Sequence, residues 1–205
     1  AIDRRAKAVR VRDLTTGREY AERYDKLILA PGAAPIRPSI PGADLPNVFT
    51  LRNLADTDRI KAAVDTGVKQ AVIVGAGFIG VELAENFVHR GVATTVLDRN
   101  PQVLSPFDAE MTTPLLQAMR AKGVEVLLGQ SAESIARHSD GLLVTLTSGE
   151  TRVGQLVVFG VGVSPESRLA VDAGLEVGPR GGVRVNGLLQ TSDPDIFAVG
   201  DAVET

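Results

Sequence analysis

Residues 72–91, VIVGAGFIGVELAENFVHRG, constrain the fold more than any other stretch of the chain. Glycines at positions 75, 77 and 80 have the spacing G-x-G-x-x-G and follow the apolar run AVIVG (71–75), which is typical of a buried strand. Beyond them, small and apolar residues recur at helical spacing: Gly80, Leu83, Ala84, Phe87, Val88 and Gly91. A second apolar strand, TTVLD (94–98), follows. The sequence therefore predicts a β-α-β unit with a parallel sheet, and an α/β fold class.

The three glycines favour a loop that binds the pyrophosphate of a dinucleotide, as in a Rossmann-like domain. Gly75 permits a tight turn, Gly77 lets the backbone approach the phosphates, and Gly80 lets helix and strand pack closely. The run has no lysine or arginine before Arg90. We therefore expect backbone amides and the helix dipole to bind the negative charge.

Asp98 ends the second strand, at the place where an acid that binds the adenosine ribose is expected. Its carboxylate can accept both ribose hydroxyls and would repel a 2′-phosphate, which favours NADH over NADPH. Arg99 could turn toward such a phosphate, so NADPH remains possible. The structural alternatives are a solvated strand end for Asp98 and a surface position for Arg99.

Composition excludes several kinds of site. The sequence has no cysteine, which rules out disulfides, thiolate-bound zinc and a cysteine nucleophile within this segment. The net charge of −3 is spread over mixed acidic and basic residues, so we expect no nucleic-acid partner. The apolar runs are too short to span a membrane, and we expect a cytoplasmic protein. His89 and His138 lack ligand spacing; we predict a last-turn helix residue and a loop residue, and no metal site.

The rest of the chain gives a coarse order of elements. Strands over 7–12 and 18–30 predict an antiparallel meander, and the proline-rich run 31–46 predicts an extended crossover. The later elements are a helix over 55–64 capped by Asn53 or Asp56, a helix within 108–123 that Pro114 kinks or begins, a strand over 124–128, a hairpin of 142–147 with 151–161, and a last strand over 195–201.

Four stretches resemble the motifs of one family. LILAPGAAP (27–35), VGAGFIGVELAE (74–85), GVGVSPESRLA (160–170) and TSDPDIFAVGDA (191–202) are similar, in that order, to motifs of the FAD-dependent pyridine nucleotide-disulfide oxidoreductases. The runs APGAAPIRPSIPG and LSPFDAEM are most similar to the NADH oxidase, NADH peroxidase and coenzyme A disulfide reductase branch. The resemblance covers nearly the whole chain.

The resemblance implies a domain order in which an NAD domain is inserted into an FAD domain. Residues 48–162 would form the NAD(H)-binding domain, and residues 1–47 and 163–205 would be partial FAD-domain segments. The first β-α-β unit of the FAD domain and a C-terminal interface domain would belong to a longer parent protein, which we expect to be a homodimer. We expect the present segment to be inactive alone.

The resemblance also implies roles for individual residues. Phe78 would cover the flavin face and move aside for nicotinamide, Glu82 would lie near nicotinamide and flavin, and the backbone of Gly162 would lie near the nicotinamide end. Ile79 is a further NAD(P)H-binding candidate. Candidates for FAD binding in the full-length protein are Ala30, Pro31, Gly32, Gly200 and Asp201, the last bonding a ribityl hydroxyl. The structural alternatives are that Phe78 is an apolar residue at the helix start and Glu82 a first-turn helix charge. Asp201 would then be a capping residue, and Gly32, Gly162 and Gly200 would be turn glycines.

Three functions follow as hypotheses. In the first, the parent passes hydride from NADH to FAD and then electrons to a disulfide, peroxide or oxygen through a cysteine outside this segment. In the second, it is a reductase that delivers electrons to an iron-sulfur protein, as ferredoxin or rubredoxin reductases do, without a redox cysteine. In the third, the chain is a non-catalytic nucleotide-binding module.

Overall fold

The computed structural model describes residues 1–204, which form two compact units, one of residues 35–162 and one of residues 1–34 together with residues from 163 onward. Both units mix strands with helices, which confirms the predicted α/β class. The proline-rich residues 35–47 pack with the central unit, whereas the sequence prediction began the NAD domain at residue 48. The assignment of cofactors to the units stays a prediction.

The elements of the described residues are given in chain order. They are β1 (Ile2–Asp3), β2 (Ala8–Arg12), β3 (Glu19–Arg23), β4 (Leu27–Leu29), β5 (Ala33–Pro35), β6 (Val48–Thr50), α1 (Leu54–Asp65), β7 (Gln70–Val74), α2 (Phe78–His89), β8 (Ala93–Asp98), α3 (Ala109–Ala121), β9 (Glu125–Leu128), β10 (Ala132–His138), β11 (Gly141–Leu146), β12 (Thr151–Gly154), β13 (Leu156–Phe159), β14 (Val163–Pro165), α4 (Arg168–Asp172), β15 (Val183–Arg184), β16 (Ile196–Ala198) and β17 (Val203–Glu204).

A parallel sheet of five strands, in the order β6-β13-β7-β8-β9, is the centre of residues 35–162. Strand β13 and residues 71–74 of β7 are wholly apolar and buried, because both faces of the sheet are covered, as parallel sheets require. One face packs in a cluster with Ala84 and Phe87 of α2 and Met119 of α3. The other face packs against the antiparallel sheet β10-β11-β12 through residues such as Val144 and Leu146.

The other unit contains the antiparallel meander β1-β2-β3 and the parallel pair β4-β16. In that pair Leu29 lies opposite Ala198, and both pack in a small buried cluster with Ile196 and Val183. Ion pairs join the two parts of this unit: Arg4 Nε lies 2.7 Å from Asp193 Oδ2, and Lys26 Nζ lies 2.6 Å from Asp195 Oδ1. This unit is therefore built from both ends of the described chain.

Several sequence predictions need correction. The predicted strand 18–30 is two strands, and only β3 belongs to the meander, since β4 pairs with β16. Strand 151–161 is also two strands, β12 and β13, in different sheets. Pro114 lies inside α3 and does not begin it. The strand β10 was not predicted, and His138 is its last residue and not a loop residue.

The start of α1 shows how a short polar motif fixes the helix next to the parallel sheet. Asn53 is the N-cap, and its side chain accepts the Asp56 amide at 3.1 Å. Asp56 returns the contact by accepting the amides of Arg52 at 2.8 Å and Asn53 at 3.2 Å, and it pairs with Arg59. Burial alone would raise the pKa of Asp56, but the hydrogen bonds from Arg59, Arg52 and Asn53 outweigh burial and lower this pKa.

We predict that Asp56→Ala lowers the free energy of unfolding by about 1–2 kcal/mol at neutral pH, because two amides at the helix start lose their acceptor. A carboxyl group with a lowered folded-state pKa stabilises the fold above its unfolded pKa of about 3.9 and loses this effect as the pH falls through the folded-state value. The difference between wild type and variant should therefore shrink below about pH 4.

Urea unfolding followed by circular dichroism over a pH series measures this difference. Asp58→Ala is the matched control, since Asp58 is an exposed acid in the same helix. An Asp56→Ala effect no larger than that of the control would show that the capping box contributes little.

Candidate functional site

The glycine-rich loop joins β7 to α2 at the carboxyl end of the parallel sheet. Gly75 has φ +114°, and a Cβ added to it would lie 2.3 Å from the Gly160 carbonyl oxygen. A Cβ added at Gly80 would lie 1.8 Å from the carbonyl oxygen of Gly75. The helix thus packs on the loop at a distance that only glycine allows at these positions. This is the packing that the motif predicts.

Gly77 differs from its two neighbouring glycines, because a Cβ added there would find no heavy atom within 4 Å. It is the N-cap of α2, no side chain caps this helix, and the first helical hydrogen bond runs from Val81 N to Gly77 O at 3.0 Å. The amides of the first turn therefore have no acceptor within the helix. An anionic ligand can approach the backbone here, so the residues present fit a pyrophosphate.

Asp98 contacts the glycine-rich loop directly. Its Oδ2 accepts the Ala76 amide at 2.6 Å, and its Oδ1 accepts the Asn100 amide at 2.8 Å and the Asn100 side chain at 2.9 Å. Asp98 is half-buried, whereas Arg99 is exposed. One carboxylate oxygen thus holds the loop in place. Oδ1 already accepts two hydrogen bonds, whereas Oδ2 has a second lone pair, so a role in ribose binding stays a prediction.

Phe78, Ile79 and Glu82 line one end of a mostly apolar groove of about 450 Å³ between α1 and α2. Phe78 is the first helical residue, its side chain is 61% exposed, and its ring meets the ring of Phe107. Glu82 is exposed on the same helix. These positions leave all three side chains open to a ligand, and their predicted contacts with nicotinamide stay predictions.

Opposite charges meet at the other end of this groove. Asp65 accepts a hydrogen bond from Lys61 Nζ at 2.5 Å and pairs with Arg90 at the C-terminus of α2. The hydrogen bond from Lys61, with the charges of Arg90 and Lys61, lowers the pKa of the Asp65 carboxyl group. These side chains are already paired, so they are poor candidates for binding a phosphate.

Gly162 lies beyond the carboxyl end of β13, which pairs with β7 in the centre of the sheet. It has φ +116°, and its carbonyl oxygen accepts the Ile36 amide at 3.0 Å. It therefore lies at the same edge of the sheet as the glycine-rich loop, where ligands of open α/β sheets bind.

The candidate FAD residues belong to the other compact unit. Ala30, Pro31 and Gly32 follow β4, and Gly200 and Asp201 follow β16 in a short 3₁₀-helix. Because β4 and β16 are parallel, both groups leave the same end of the strand pair. Val199 N donates to Leu29 O at 3.0 Å at this end. The structure thus brings the two predicted groups together, while their contact with FAD stays a prediction.

Residues 1–204 show neither a metal-binding cluster nor a membrane-spanning helix. These residues contain no group of three or more histidine, cysteine or acidic side chains placed to bind a metal. None of their helices combines the length and apolar character that a membrane span needs.

The sequence did not predict two features of the site. These are the hydrogen bonds of Asp98 with Ala76 and Asn100, and the contact of Phe107 with Phe78. Loop residues have no periodicity that reveals such contacts.

Comparison with known proteins gave a consistent result. The family model described as pyridine nucleotide-disulphide oxidoreductase matches residues 1–205. Coenzyme A disulfide reductase of Staphylococcus aureus (strain JH9) is 31% identical over 202 residues, which cover 98% of this chain and 44% of the relative. The chain therefore spans less than half the length of this curated relative.

Two solved structures are similar over nearly the whole chain. The structure of reduced Bacillus anthracis CoADR-RHD matches with a TM-score of 0.93 and 43% sequence identity. The match covers 99% of this chain and 36% of the Bacillus anthracis chain. The water-forming NADH oxidase of Lactobacillus brevis, bound to NADH, has a TM-score of 0.90 at 34% identity and covers 99% of this chain and 45% of its own.

We predict that Gly80→Ala destabilises the chain while Gly77→Ala is tolerated. The added methyl group at Gly80 meets a backbone carbonyl, so helix or loop has to move, at a cost of about 1–3 kcal/mol or more. The methyl group at Gly77 meets open space. Urea unfolding of the two variants measures the difference, and equal stabilities would contradict the close packing of α2 on the loop.

Proposed function

The chain belongs to the pyridine nucleotide-disulphide oxidoreductase family, and on this premise we propose that it is the NAD(H)-binding part of a longer, FAD-dependent oxidoreductase. The longer protein passes hydride from NADH to FAD and then electrons to a disulfide, peroxide or oxygen. The observation that carries this proposal is the open backbone at Gly77, between two glycines that close packing requires. Residues 48–162 are assigned to NAD(H), and residues 1–47 and 163–205 to FAD.

In this proposal the first turn of α2 binds the pyrophosphate of NADH. The amides of Phe78 and Ile79 donate to phosphate oxygens, and Gly77 lets the phosphates approach. Phe78, Glu82 and the backbone of Gly162 contact the nicotinamide end. The role of these residues is placement, because hydride transfer needs the reacting atoms about 3–3.5 Å apart in a fixed orientation.

Asp98 supports a preference for NADH over NADPH. Its Oδ2 accepts a ribose hydroxyl with the lone pair that Ala76 leaves free, and the negative charge of the carboxylate repels a 2′-phosphate. Arg99 is exposed and adjacent, which keeps NADPH as the weaker alternative. The NADH bound to the related Lactobacillus brevis oxidase supports the same choice.

FAD binds, in our proposal, to the end of the β4-β16 pair in the full-length protein. Gly32 and Gly200, with φ +73° and +76°, turn the backbone beside Ala30 and Pro31 so that it approaches the flavin nucleotide, and Asp201 accepts a ribityl hydroxyl. Since the sequence contains no cysteine, a redox cysteine that reduces a disulfide or peroxide has to lie outside residues 1–205. We also propose that the parent protein is a cytoplasmic homodimer with no nucleic-acid or membrane partner.

We predict that anaerobic addition of NADH to the full-length parent bleaches its flavin absorbance. Turnover is then compared with coenzyme A disulfide, hydrogen peroxide, oxygen and a ferredoxin as acceptors, and we expect one of the first three to be reduced. Reduction of ferredoxin alone would favour the iron-sulfur reductase. An unreduced flavin with bound NADH would favour the non-catalytic module.

We predict that Asp98→Ala weakens NADH binding by about 10- to 100-fold, because a charge-assisted hydrogen bond to the ribose is lost and the loop at Ala76 loses its acceptor. Asp98→Asn keeps an oxygen that can accept the Ala76 amide but removes the charge, so it should narrow the preference for NADH over NADPH. Isothermal calorimetry with both nucleotides measures the two effects.

Asp108→Ala serves as the control for these variants. Asp108 is an exposed acid that precedes α3, and its side chain makes no capping hydrogen bond. An NADH affinity that Asp98→Ala leaves unchanged would refute the ribose role.

A further inference from the structure

The ring of Phe78, at the start of α2, contacts the ring of Phe107, which lies just before α3. The ring centroids of Phe78 and Phe107 lie 5.9 Å apart with an interplanar angle of 76°, an edge-to-face contact. Both side chains are exposed, by 61% and 47%. Aromatic pairs in this geometry attract each other beyond the area they bury, so the contact favours one resting position of the two rings.

Main-chain contacts hold Phe107 in place. Leu104 N donates to the Ala76 carbonyl oxygen at 2.9 Å, and Phe107 N donates to Leu104 O at 2.9 Å. The Gln102 side chain donates to the Phe107 carbonyl oxygen at 2.6 Å. The loop after Asp98 is therefore tied to the glycine-rich loop by bonds that do not depend on the Phe107 ring.

The two rings bridge the two segments that a dinucleotide has to contact. Phe78 begins α2, whose first-turn amides we assign to the pyrophosphate. Phe107 ends the loop that follows Asp98, and Asp98 is the residue that we assign to the ribose. Phe78 directly follows Gly77, and Leu104, three residues before Phe107, donates to the Ala76 carbonyl oxygen, so both rings belong to backbone that adjoins the proposed phosphate contacts. In the proposed binding mode, the resting contact between Phe78 and Phe107 therefore competes with nucleotide entry.

We propose that Phe107 is a positioning residue, whose ring holds the Phe78 ring across the entrance of the nucleotide site until a nucleotide separates the two. This inference rests on the proposed NADH binding. It adds to that function a second aromatic residue, outside the glycine motif, that sets how readily Phe78 moves.

The expected result is that Phe107→Ala speeds NADH association and tightens binding. The attraction of an aromatic pair corresponds to about 2- to 12-fold in the association rate and in affinity, with the dissociation rate unchanged. Stopped-flow measurement of NADH fluorescence gives both rates. In a Phe78→Ala background the same Phe107→Ala change should have no further effect, because the contact is already gone.

Two control variants separate the ring contact from other effects. Phe107→Leu keeps apolar bulk but loses the ring and should fall between wild type and Phe107→Ala. Met111→Ala removes another exposed apolar side chain, 72% exposed at the start of α3, and should change nothing.

Three results would overturn the positioning role while leaving the proposed NADH binding intact. They are weaker NADH binding by Phe107→Ala, association and dissociation rates that Phe107→Ala leaves unchanged, and an effect of Phe107→Ala that persists in the Phe78→Ala background. Failure of the wild-type chain to bind NADH would overturn the proposed function and this inference together.

Discussion

The close packing of α2 against the end of β7 determines most of the geometry of the candidate site. Gly80 lies against the Gly75 carbonyl group with no room for a side chain, so the helix begins directly at the edge of the parallel sheet. Asp98 reaches the same loop from the neighbouring strand and fixes it through the Ala76 amide. A backbone that is tightly packed on two sides is therefore open on the third, at Gly77, where a ligand can bind.

The sequence predicts this part of the fold well because the signals are local. Glycine spacing, a buried apolar run and a helical stripe from Gly80 to Gly91 all occur within residues 71–98, and the structure has β7, α2 and β8 there. Asn53 as helix cap is equally local, since its partner Asp56 is three residues away. The match to the family model agrees with the motifs that carried the resemblance.

Features that depend on distant partners could not be predicted in the same way. β10 has only two buried apolar residues, Ala132 and Ile135, and its polar positions do not identify a strand. Leu27–Leu29 looks like the end of the meander, yet its partner is Ile196–Ala198, which local patterning cannot reveal. The bond from Ala76 to Asp98 and the contact of Phe107 with Phe78 also depend on how separate loops come together.

The discontinuity of the smaller unit has a consequence for biosynthesis. β4 precedes residues 35–162 in the chain, and its partner β16 follows them. During translation the ribosome therefore completes residues 35–162, which can fold as a unit, before it makes the partner strand of Leu27–Leu29. Contacts between such distant segments form slowly. Pairing of β4 with β16 is thus expected to be a late step in the folding of this unit.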